Sequence, residues 1–130
     1  MEIVLTYQET VKDIKKQFNC MFPYLKLEFF CEPHVVGQGS PFQKMVPPST
    51  LLGEIHGILR EGVITLVPES SVKDVEQAFQ GHFGLPVQVF RKQKDVWLET
   101  TSTDFLSLAE QNEMGRRASE VPVRQVEEQY

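Results

Sequence analysis

Hydrophobic and polar positions follow two periods along this chain, and the periods recur in the same order twice. A strand-like run over Ile3–Tyr7 precedes a segment in which Val11, Ile14, Phe18, Met21 and Phe22 fall on one helical stripe; Leu25–Phe29 then alternates with period two. The order returns as a run over Val63–Val67, a stripe of Val72, Val75, Phe79 and Phe83, and alternation over Val87–Arg91. Residues 10–22 (TVKDIKKQFNCMF) and 71–83 (SVKDVEQAFQGHF) align without a gap at an offset of 61, which marks an internal repeat. Each copy opens on a hydroxyl residue with an acid three places on, Thr10 with Asp13 and Ser71 with Asp74. That is the pattern of a capping box, in which the hydroxyl satisfies an orphan helix N–H and the acid sits at the positive dipole end. Pro23 and Gly84 stop the two helices, one by ring sterics and one as a left-handed cap.

Strand–helix–strand used twice predicts an α+β fold: a ferredoxin-like two-layer sandwich with a four-stranded sheet and both helices on one face. Phe18, Phe22, Phe79 and Phe83 are then buried together. Asp95–Thr101 predicts a fifth strand behind a Gln93-Lys94 turn, which sets Val89 opposite Leu98 and Phe90 opposite Trp97. Val87, Val89 and Leu98 then face the helices, while Phe90 and Trp97 pair on the other face among Gln88, Glu99 and a Lys92–Asp95 ion pair. Thr103–Asn112 reads as a short third helix with Gly115 as its stop, and Phe105 and Leu108 make it a candidate cover for the aromatic pair. Residues 31–50 form a long Gly- and Pro-rich connection of the kind that often carries function. Leu51, Leu52, Ile55, Ile58 and Leu59 keep helical spacing after it, against the cost of Gly53 and Gly57.

The 130 residues fit one domain over 1–114. From Gly115 apolar periodicity stops, and residues 102–130 hold three basic against six acidic residues, so 115–130 reads as a mobile acidic tail. A net charge of −5 argues against nucleic acid as a partner. Two cysteines make no disulfide framework, no apolar run has the length of a membrane span, and the first residues lack a signal peptide's basic flank. The expectation is a cytoplasmic protein.

Candidate chemistry is sparse. Cys31-Glu-Pro-His34 has a spacing that could clip a metal, but a structural zinc site shows two such pairs and only one is present, so a small buried Cys and a loop His are the plainer reading. His82 falls on the edge of the apolar stripe, where a satisfied core-edge histidine is the ordinary role. Gly37-Gln-Gly-Ser40 lacks the phosphate-loop and dinucleotide fingerprints. The hydroxyls and acids of Glu99–Asp104 are explained by helix capping, and Phe90, Trp97, Arg91, Lys92 and Lys94 do not match an RNA-recognition sequence. Arg116-Arg-Ala-Ser119 resembles a basophilic-kinase site. No motif assigns a catalytic residue, cofactor or metal. The expected function is a non-catalytic interaction or regulatory module that associates with itself or a protein partner through a surface of Phe90, Trp97, Gln88 and Glu99. The competing expectation is a small-molecule-binding protein or enzyme whose pocket the 31–50 loop closes, with Cys31 and His34 contributing.

The stretch from Leu85 to Gly115, above all VQVFRK, VWLETT and TDFLSLAEQN with the closing Gly, resembles small bacterial proteins of an uncharacterised family, and the likeness extends over Phe22–Phe30. It implies a bacterial cytoplasmic setting and carries no activity.

Overall fold

Both strand–helix–strand units are present in the computed structural model of the chain, which describes residues 1–31 and 45–120. In chain order the elements are β1 (Glu2–Leu5), α1 (Val11–Met21), β2 (Leu25–Phe29), β3 (Gly62–Thr65), α2 (Val72–Phe83), β4 (Val87–Gln93), β5 (Val96–Glu99) and α3 (Leu108–Ser119). The Thr10 hydroxyl accepts from the Asp13 N–H while the Asp13 carboxylate accepts from the Thr10 N–H, so the first capping box is complete. At α2 only half of the expected box forms: the Ser71 hydroxyl accepts from the Asp74 N–H, without a reciprocal bond to the Asp74 carboxylate. Gly84 closes α2 at φ 69°, a conformation that favours glycine, and a Cβ there would lie 2.2 Å from the Gly57 carbonyl oxygen.

The fold is α+β, with three α-helices and two antiparallel sheets among the described residues. The four repeat strands, expected in a single sheet, divide into a two-stranded β1–β3 ribbon and a three-stranded sheet of order β2-β4-β5. The register explains the division. Ile3 pairs with Ile64, its own equivalent 61 positions on, and Leu27 pairs with Val89, 62 positions on. Each strand of the first half therefore lies beside its counterpart, about a local two-fold, and the extra position is the one residue added between α2 and β4.

One core joins the halves. Ile3, Leu5 and Ile64 from the ribbon, with Leu66 just after it, meet Leu25, Leu27, Phe29, Val87 and Val89 from the larger sheet, and Phe18, Phe22, Phe79 and Phe83 from the helices lie among them as the shared stripe predicts. Phe79 stands edge-on to Phe29 with ring centroids 6.1 Å apart, and Phe18 is tilted against Phe22 at 5.6 Å.

Three local expectations are corrected. The β4–β5 turn is Lys94-Asp95, with Lys94 at φ 55°, so Phe90 lies opposite Glu99 and Lys92 opposite Trp97. Because this register shift is even, Phe90 and Trp97 still share a face, but diagonally; Lys92 lies beside the indole, and no Lys92–Asp95 ion pair occurs among the described residues. The third helix starts at Ser107, which forms a capping box with Glu110, and it runs through Gly115 to Ser119. Gly115 is a contact residue rather than a stop, since a Cβ there would lie 2.8 Å from Tyr24 Cβ. The expected tail thus begins as helix, with Glu113 paired to Arg116 and Arg117; its last ten residues, 121–130, lie outside the described residues. Finally, the helical spacing after Leu51 yields only one 3-10 turn, Leu52–Glu54, before Gly57 turns the chain at φ 91°.

Candidate functional site

The larger sheet has two faces of different character. Leu25, Leu27, Val87, Val89 and Arg91 point one way; Lys26, Glu28, Gln88, Phe90, Lys92, Trp97 and Glu99 point the other. The third helix covers the first face at its far end. Its Gln111 accepts from Arg91 at 2.7 Å and its Asn112 accepts from the Tyr24 N–H at 2.8 Å. It therefore does not cover the aromatic pair: Leu108 joins the main core, and Phe105 is 69% exposed.

On the second face, Phe90 and Gln88 are buried within the chain, at 1% and 0% exposure. The expected interaction surface is corrected accordingly, for only Trp97 and Glu99, both half-buried, reach solvent. A lysine lies against both rings. Lys26 Nζ stands 5.5 Å from the Phe90 centroid and 5.0 Å from the Trp97 centroid. The same ammonium bonds one oxygen of Glu28 at 3.1 Å, and Lys15 from α1 takes the other at 2.8 Å. Sequence pattern alone could not show this, because Lys15 and Lys26 are joined only by the docking of α1 on β2.

That bridge forms one wall of a groove of about 560 Å³ lined by Lys12, Lys15, Lys16, Asn19, Lys26, Pro48 and Trp97. Lys12, Lys15, Lys16 and Asn19 occupy positions i, i+3, i+4 and i+7 of α1 and make one stripe beside the apolar one. The spacing was legible in the sequence; the meeting with Trp97 was not. The Asn19 amide is already engaged, donating to the Leu25 carbonyl at 2.8 Å. Asp13, next to the stripe, is held below the usual carboxylate range, first by the Thr10 hydroxyl and backbone and, more weakly, by Lys16.

A second surface lies on the β1–β3 ribbon. The outer side of the β1–β3 ribbon carries Val4 and Val63 directly opposite one another, 49% and 50% exposed, with Met1 and Val67 exposed at its margins.

The remaining candidates are not brought together. Cys31 is exposed rather than a small buried Cys, because it follows Phe30 out of the sheet; His34 lies outside the described residues. Cys20, His56 and His82 are also exposed, and His82 lies off the core, with its ring 6.4 Å from that of Phe83. Among the described residues no three His, Cys, Asp or Glu side chains gather as metal ligands. Gly37–Ser40 falls outside the described residues, and Ser119 is a half-buried helix-end residue whose hydroxyl accepts from the Lys94 N–H. No helix among the described residues is long and apolar enough to cross a membrane. No protein-family model, curated protein or solved structure matches the chain.

Proposed function

We propose that this chain is a small non-catalytic interaction module that associates with a second copy of itself through a sheet face, on a ferredoxin-like plan whose strand layer is split in two. The face is the outer side of the β1–β3 ribbon rather than the Phe90–Trp97 pair. The observation that carries this reading is the Val4–Val63 cross-strand pair, both side chains half exposed on a strand surface whose other side is already spent on the core. Among the described residues the two-stranded ribbon also leaves both of its long edges without a strand neighbour. Adjoining exposed apolar side chains of this kind mark contact surfaces more often than scattered ones do, and a two-fold contact is the commonest closed arrangement.

Sedimentation of the wild type beside a Val4→Asp, Val63→Asp double variant tests the reading. The expected result is a dimer that the double variant converts to a folded monomer. A monomeric wild type, or an undisturbed dimer in the folded variant, overturns self-association.

A further inference from the structure

We propose that the groove between α1 and the β4–β5 hairpin binds a nucleotide, with the α1 lysines taking the phosphates and Trp97 bordering the planar base. Four of the eight lysines in the sequence, Lys12, Lys15, Lys16 and Lys26, line this one groove in a chain whose net charge is −5. Three of them stand within five consecutive residues of one helix, where like charges three and four apart repel. Helix formation and solubility do not call for that arrangement, and the repeat shows it. At the same positions of α2 stand Lys73, Glu76, Gln77 and Gln80, on a helix that also starts at a hydroxyl cap and buries its apolar stripe in the same core.

The acids nearby leave cations to spare. Glu28 bridges Lys15 and Lys26, Asp13 is engaged at the Thr10 cap, and Glu99 shares the sheet face with Trp97. Among the described residues Lys12 and Lys16 form no ion pair, and both are exposed at the groove. Glu28 also has a positioning role. It holds the Lys26 ammonium against the indole, so an ordered cation and an aromatic surface meet at one point, and a phosphate joined to a planar base is the chemistry that uses both. A volume of about 560 Å³ lies in the range of small-molecule sites rather than that of a track for a long strand.

Trp97 is the single tryptophan, so its emission reports on the site directly. The probe is ATP, titrated by fluorescence and by calorimetry at low salt, with inorganic tripolyphosphate as the base-free control. ATP should bind saturably and change the Trp97 emission, and tripolyphosphate should bind about tenfold more weakly. The Lys12→Gln, Lys16→Gln double variant should lose about tenfold or more in ATP affinity with an unchanged thermal melt, as two charge-assisted contacts require. Lys73→Gln, the matched change on α2, should bind ATP like the wild type. Absence of saturable ATP binding, or wild-type affinity in the double variant, overturns the site. Equal affinity for tripolyphosphate overturns the nucleotide assignment, and much tighter binding of an oligothymidylate would place single-stranded nucleic acid there instead.

Discussion

The two halves of this chain share a scaffold and differ in what they do with one position. Lys15 on α1 and Glu76 on α2 are equivalents, 61 residues apart. Lys15 reaches outward to Glu28 and stays partly in solvent, as part of a basic groove. Glu76 is 3% exposed, and its carboxyl accepts from the Val89 N–H at 2.9 Å. The reason lies in the sheet. β5 pairs with β4 only from Phe90 onward, so the Val89 backbone groups on that edge need other partners. Glu76 takes the N–H, and the Thr100 hydroxyl donates to the carbonyl at 2.9 Å. The second half thus spends Glu76 on completing the sheet, whereas the first half keeps the equivalent Lys15 at the groove. A repeat fixes the frame and frees positions off its apolar stripe to diverge.

The largest effects should fall on what the halves have in common. Phe18 and Phe79 are equivalents and both fully buried, so Phe18→Ala and Phe79→Ala should each cost about 3–5 kcal/mol in chemical denaturation. A large loss in one and a negligible loss in the other would show that the halves do not share a core. A smaller effect should separate them. Glu76→Ala leaves the Val89 N–H without this partner and should cost about 1–3 kcal/mol, while Lys15→Ala, at a partly solvated ion pair, should stay within about 1 kcal/mol. Equal costs would erase the distinction between a sheet-completing residue and a groove residue.

The smallest effect concerns the caps. The Asp13 carboxyl is held below its ordinary range by the Thr10 hydroxyl and backbone, and that of Glu110 by the Ser107 backbone and hydroxyl. A depressed carboxyl stabilises the fold fully above the ordinary carboxylate range and loses that contribution as pH falls through its lowered folded value. Side-chain NMR titration should therefore place both midpoints below the ordinary range, and Thr10→Ala should raise that of Asp13 alone. An unshifted Asp13 midpoint would mean that the reciprocal cap of α1 does not persist in solution.

Much of the frame could be read from the residues themselves. The 61-residue offset, the two apolar stripes, the hydroxyl caps and the strand alternation are local signals, since side-chain period and capping chemistry act within a few positions of one another. They located β1 to β4, α1 and α2, and they named the four buried phenylalanines. Tertiary structure decided the rest. The β4–β5 register rests on Lys94 adopting a left-handed turn that no glycine or asparagine announces. Gly115, taken alone, looks like a helix stop, and only its approach to Tyr24 makes it an interior contact. The split of the strands into two sheets follows from pairing between equivalents far apart in the chain. The groove depends on the same kind of event, because Lys12, Lys15 and Lys16 meet Lys26 and Trp97 only once α1 docks beside the hairpin. Spacing along the chain records what a residue's neighbours are in sequence; which charge stands against which ring is settled by packing at long range.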